Sequence, residues 1–218
     1  MMRYDNFAYI WPPRPGAKQA ITPSMLASKE AMGCWAQIKK QGTNNTMYVG
    51  PDRKVRPMNR HHAEHRQWSP IPQTHMTFSN LPGSGWYVFS AELLHSKVAD
   101  SKLKNINYIH DILVYNGEHL VGTTFAERQK LLTDLFPDTV VPMNGVGYRV
   151  IDPYAWLATN YPPGIKGGFV ALFKSLHRPE DEGLVMKRPD AKLQYGIKET
   201  ANDSWQFKCR RPTKNFGH

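Results

Sequence analysis

The sequence predicts an α+β fold of mixed, mainly antiparallel sheets flanked by helices. Three observations carry that expectation. Short runs rich in β-branched and aromatic residues recur between Gly, Pro and Asn turn signals. A helix start is marked by the capping box Thr124-Phe125-Ala126-Glu127. No repeat, low-complexity tract or linker divides the chain. The 218 residues suffice for a core that needs no staples. The expected organisation is a domain over residues 35–218, with residues 1–34 packed on it as a strap and a short helix.

The elements follow in order. Trp11-Pro12-Pro13-Arg14-Pro15 favours extended backbone, so the N-terminus reads as a strap across a surface. Ser24–Ala31 predicts a short helix. A strand entered at Trp35 ends at the lysine turn Lys39-Lys40-Gln41-Gly42-Thr43-Asn44. Thr46–Val49 and Val55–Met58 flank Gly50–Lys54 as a hairpin. Trp86–Leu94 and Ile106–Val114 predict strands, the second closed by the turn signal Asn116-Gly117. The capped helix runs to about Phe136, and Gly167–His177 predicts a second one. Leu184–Lys187 and Trp205–Cys209 read as late strands.

Charge and cysteine usage narrow the function classes. With 28 basic residues against 18 acidic ones, the net charge of +10 favours a polyanionic partner such as nucleic acid or nucleotide. Two cysteines, Cys34 and Cys209, make neither a disulfide framework nor a four-cysteine zinc site. Apolar runs are too short to span a membrane, and the N-terminus lacks a signal-type apolar core. A cytoplasmic, monomeric protein without membrane attachment is expected.

Several short motifs are candidates for chemistry. In Lys39–Asn44 the glycine permits a tight turn and close approach to a ligand, though a solvated basic turn has the same spelling. In Glu182-Gly183-Leu184-Val185-Met186-Lys187, strand alternation would put Glu182, Leu184 and Met186 on one face and Gly183, Val185 and Lys187 on the other. Lys208 and Arg210 share a strand face and suit a phosphate, or form a solvated basic face. Glu92 and His110 lie within ordinary strand sequence. His61-His62-Ala63-Glu64-His65 lacks a fitting fourth zinc ligand and reads as surface. Trp68 and Trp86 are expected to be buried, Cys34 reads as a small buried residue, and Arg128 with Lys130 is expected on a solvated helix face.

Taken in order, these motifs resemble those of the covalent nucleotidyltransferases, which include ATP-dependent DNA ligases, RNA ligases and mRNA-capping guanylyltransferases. The resemblance runs from about Trp35 to Arg210. It implies a ligase-type, ATP-grasp-like nucleotidyltransferase domain that uses ATP and Mg2+ on nucleic-acid strand ends. Lys39 matches the lysine that attacks the nucleotide α-phosphate; Gln37, Gly42 and Asn44 fall beside it as nucleotide-binding residues. Arg60 matches the arginine of the next motif, with Arg56 as a rival. Glu92 matches the acidic residue at the ribose and, with Glu182, the metal site; Ser90-Ala91 stands where Asp-Gly is usual. His110 sits where relatives place an aromatic on the base, a position Tyr108 could also serve. Lys187 closes the motif of Glu182, and Lys208 with Arg210 matches the cation pair on the α-phosphate.

The implied cycle has three steps: a lysyl-AMP, transfer of AMP to a 5′-phosphate, and displacement of AMP by a 3′-hydroxyl. Lys39-x-x-Gly42-Thr43-Asn44 looks like RNA ligases, whereas Glu182–Pro189 followed by Asp190–Gly196 looks like DNA ligases. Only Arg211–His218 follow the last motif, so the resemblance implies a minimal form without an OB domain, with a clamp partner in trans as one option. RNA-containing ends are narrowly favoured over DNA nicks. A capping-type enzyme and a non-catalytic nucleic-acid-binding module are the remaining alternatives.

Overall fold

Two sheets and the cleft between them organise the computed structural model, which describes residues 10–98, 100–142, 147–196 and 198–212. In chain order the strands are β1 (Trp35–Lys40), β2 (Thr43–Val49), β3 (Val55–Met58), β4 (Tyr87–Leu94), β5 (Ile106–Tyr115), β6 (Glu118–His119), β7 (Tyr148–Asp152), β8 (Ala155–Ala158), β9 (Asp181–Lys187) and β10 (Gln206–Arg210). The helices are α1 (Leu26–Ala31), α2 (Pro72–Met76), α3 (Phe125–Leu135) and α4 (Gly168–Lys174), with short 3-10 turns between elements. The small sheet has the order β1-β9-β10 and is antiparallel throughout. The larger sheet runs β3-β2-β4-β5-β8-β7, with β6 paired to β5. Its pairs are antiparallel except β5 with β8, which is parallel.

Local chemistry explains the main elements. Thr124 and Glu127 close the capping box of α3 reciprocally. Asn116 and Gly117 both have positive φ, 47° and 91°, as a tight hairpin turn after β5 requires. The strands β2 and β3 pair in the expected hairpin, Val49 opposite Val55. The helix expected over Ser24–Ala31 is a 3-10 turn at Pro23–Met25 leading into α1. Glu30 of α1 accepts hydrogen bonds from the Gly164 and Phe169 amides, at 3.0 and 2.9 Å, and so ties the start of α4 to α1.

Each sheet packs an apolar face, and the larger sheet buries residues on both of its faces. Ala36, Ile38, Leu184, Met186 and Cys209 of the small sheet pack on Leu26, Phe169 and Leu172, with Cys34 in the same cluster. Met47, Phe89, Ala91, Ile109 and Ile112 of the larger sheet pack on Phe78, Leu132 and Phe136. Trp68 and Trp86 are buried, as expected.

Arg128 corrects an expectation. It is 1% exposed, and its guanidinium donates to both carboxylate oxygens of Asp111 on β5, at 2.8 and 3.1 Å. Asp111 lies four residues before the end of β5 and its carboxylate meets α3 there, so Arg128 docks the helix on the sheet, while Lys130 is exposed as expected. Burial alone would raise the Asp111 carboxyl, but the charge and hydrogen bonds of Arg128 hold it below its ordinary value.

Candidate active site

The face of the small sheet that does not pack on the core lines a cavity of about 540 Å³. In β1, alternation sends Ala36 and Ile38 to the core and Gln37 and Lys39 to the cavity. In β10, Cys209 goes to the core while Lys208 and Arg210 reach the cavity. In β9, Leu184 and Met186 face the core, and Val185 and Lys187 face the cavity.

Glu182 departs from the alternation expected for it and joins the cavity wall. The cause is a bulge: Lys39 pairs with Gly183 and Lys40 with Asp181, leaving Glu182 as the extra residue. Gly183 makes the bulge possible. Its φ is 147°, and a Cβ there would collide with the Cys209 carbonyl of β10. The bulge brings the Glu182 carboxylate onto the Lys39 ammonium, and the two form an ion pair.

Lys40 is separated from this pair. Its side chain is buried, paired with Asp181 at 2.5 Å, and its ammonium lies 5.1 Å from the Tyr148 ring centroid. The lysine turn itself is tight for a stated reason: a Cβ on Gly42 would stand 2.5 Å from the Leu93 carbonyl and 2.6 Å from the Glu92 side chain. Lys97 donates to the Gly42 carbonyl at 2.7 Å and so fastens this turn to the loop after β4.

The larger sheet supplies the opposite wall through Asn44, Glu92, Tyr108 and His110. Strand pairing sets them side by side, Asn44 opposite Glu92 and Glu92 opposite Tyr108. Burial pushes the Glu92 carboxyl above its ordinary range, against the pull of Lys39 and Lys97. Burial, then the charge of Lys187, lowers the His110 imidazole to about 3, so it is neutral at any working pH. Burial also lowers Lys187 to about 8; its ammonium donates to the His110 carbonyl at 3.4 Å and lies 4.7 Å from the Phe125 ring centroid. The Tyr108 hydroxyl donates to the Ile38 and Gly147 carbonyls, at 3.1 and 2.9 Å, which gives that ring a bracing role between β1 and β5. Gln37 is held from behind: its amide donates to Asn160 at 2.9 Å and to Gln129 of α3 at 3.3 Å.

Arg60 lines the cavity, whereas Arg56 pairs with Asp52 at 2.8 Å and stacks over Trp86. Every residue singled out for nucleotide or metal binding is therefore on the wall of one cavity: Gln37, Lys39, Gly42, Asn44, Arg60, Glu92, His110, Glu182, Lys187, Lys208 and Arg210. Sequence reasoning missed Arg14 and Lys97, which stand on the same wall. The strap motif around Arg14 was visible, but its course over the cleft depends on contacts remote in sequence. Lys97 carried no signal.

Eight basic side chains and two carboxylates line the cavity, a balance that suits a polyphosphate. The carboxylates, Glu92 and Glu182, also fit Mg2+, a hard cation that takes one or two carboxylates and leaves its other positions to phosphate oxygens and water. Among the described residues, no group of three or more His, Cys, Asp or Glu side chains forms an all-protein metal cage.

No protein-family profile and no curated protein matches this chain. Solved structures do match. The ligase domain of LigD from M. tuberculosis aligns with a TM-score of 0.57 and 19% identity, over 89% of this chain and 57% of that one. A mycobacterial DNA ligase D complexed with ATP and MES gives a TM-score of 0.60 and 18% identity, over 96% of this chain and 62% of that one. The ATP-dependent DNA ligase of bacteriophage T7, in complex with ATP, gives 0.51 and 14%, over 88% and 67%. The chain thus spans less than two thirds of either mycobacterial ligase structure.

Proposed function

The chain has the fold of an ATP-dependent ligase nucleotidyltransferase domain, and we propose that it acts as one, joining polynucleotide ends through a lysyl-AMP on Lys39. On this reading the described residues 35–212 belong to the domain, the strap and short helix of residues 10–34 pack on it, and strand ends of nucleic acid are its partner. The observation that carries this reading is the convergence of Lys39, Glu182, Lys187, Lys208 and Arg210, from three strands of one sheet, opposite Glu92 and His110.

The residues divide the work by chemistry. An ammonium is no nucleophile, so Lys39 must leave its pair with Glu182 and lose a proton to solvent before it attacks. The Lys39 amine then bonds to the α-phosphorus, the bond to the bridging oxygen breaks, and pyrophosphate leaves with that electron pair. The amine's second proton goes to solvent as the phosphoramidate forms. Lys208 and Arg210 hold the α-phosphate and meet the charge that develops on it. Neutral His110 offers a flat uncharged face to the base, and Glu92 accepts from the ribose. Mg2+, held by Glu182 and Glu92, would neutralise charge on the triphosphate. AMP then passes from Lys39 to a 5′-phosphate, and a 3′-hydroxyl displaces it to seal the strand.

The test is incubation with Mg2+ and α-labelled ATP or GTP, followed by a denaturing gel. Wild type should take label from ATP, and Lys39→Ala should take none. Label that persists in Lys39→Ala would move the nucleophile elsewhere, and label from GTP alone would favour a capping-type reaction. A panel of nicked DNA, RNA and hybrid duplexes then decides the sugar. The turn Gly42-Thr43-Asn44 favours an RNA-containing end; the DNA ligases among the similar structures favour DNA.

A further inference from the structure

The N-terminal strap lines the cavity and is anchored before and after the lining segment. On one side Ile10 is buried with Tyr48, Met58 and Trp86 of the larger sheet's surroundings, and the Trp11 ring meets His61 edge-on at 6.2 Å. On the other side the strap joins the small sheet: the Ile21 amide donates to the Lys208 carbonyl at 2.9 Å, and Ala20 bridges Lys208 in parallel. Between these anchors Pro13, Arg14 and Pro15 line the cavity. The Lys208 ammonium donates to the Pro15 carbonyl at 3.2 Å, so the strap lies beside the cation pair placed on the α-phosphate. Prolines on both sides of Arg14 restrict its backbone before any ligand arrives.

We propose that Arg14 is a binding residue for the outer phosphates of the nucleotide. The proposal rests on the reading of this cavity as an ATP site. The α-phosphate already has Lys39, Lys208 and Arg210 around it. A guanidinium delivered from the strap, next to Lys208 but on a different element, adds a cation for the phosphates beyond. It would make the site select a triphosphate over a monophosphate, and it would hold the pyrophosphate as it leaves. Arginine suits this task because its planar fork binds phosphate oxygens bidentately.

Equilibrium binding tests this without any catalytic step. In a Lys39→Ala background, which forms no covalent adduct, affinities for ATP and for AMP are measured by calorimetry. Adding Arg14→Gln should weaken ATP binding by about tenfold or more and AMP binding by far less. Arg14→Lys, which keeps the charge but loses the bidentate fork, should recover only part of the loss for ATP. Equal losses for both nucleotides, no loss for either, or an Arg14→Lys variant as weak as Arg14→Gln would overturn the assignment while leaving the ATP site standing. Binding of neither nucleotide by Lys39→Ala would overturn the ATP site and the assignment together.

Discussion

Lys187 keeps an ammonium in a place that works against it. Burial brings its pKa down from 10.5 to about 8. Between those values the unfolded chain holds the proton more tightly than the folded one, so stability rises as pH climbs from about 8 towards 10.5. Below about 8 the folded protein carries the full cost of the buried charge. Lys187→Met should therefore stabilise the protein at pH 7, and its advantage over wild type in chemical denaturation should shrink above pH 8. The same substitution should weaken ATP binding. In wild type that affinity should fall as pH rises through about 8, and in Lys187→Met this limb should vanish. An ATP affinity that stays level from pH 7 to 9.5 would put the Lys187 charge out of reach of the nucleotide. His110, at about 3, contributes nothing to this profile. The shared placement of Lys39, Glu182 and Lys208 on one cavity wall was legible because each sits in a short motif with a lysine, glycine or carboxylate at a fixed offset. Arg128 was not, because its partner Asp111 is on another element and no local pattern announces it.

At the scale of elements, the β9 bulge decides whether the site assembles. Without it, Glu182 would follow Leu184 and Met186 to the core side, and a carboxylate would be buried among apolar side chains. Gly183→Ala should cost on the order of 2–3 kcal/mol from backbone conformation alone, with more from the collision with the Cys209 carbonyl. The variant should also lose labelling by ATP beyond what its lower melting temperature explains, because Glu182 would no longer meet Lys39. A Gly183→Ala protein with wild-type melting and labelling would mean that β10 yields and the bulge is dispensable. The strands around this bulge were readable from composition and turn residues. Strands β7 and β8 were not: they are five and four residues long, and β8 is held by parallel pairing with β5, a contact that no nearby sequence encodes. The bulge lay between the two cases, since its glycine was visible and its register was not.

For the molecule as a whole, the charge of +10 and the cavity pull on partners of different reach. On the proposed reading a nucleotide would be gripped inside the cleft, where desolvated cations act over short distances and salt screens them weakly. A duplex is too large to enter a cavity of about 540 Å³ and must lie across its rim. Arg60, an exposed residue of the cavity lining, would then contact backbone phosphates along with other surface cations. Each such contact releases counterions and contributes about −0.9 to the slope of log affinity against log salt. With three contacts, affinity for a nicked duplex should fall about 40-fold between 50 and 200 mM salt. Affinity for ATP should change far less over the same range. Fluorescence anisotropy of a labelled nick and calorimetry of ATP, run side by side, separate the two. A flat salt response for the duplex would remove nucleic acid from the partners proposed here, and would leave a nucleotidyltransferase acting on a small acceptor. A slope for ATP as steep as that for the duplex would mean that the phosphates are held at the solvent-exposed rim, and that the strap carrying Arg14 does not enclose them.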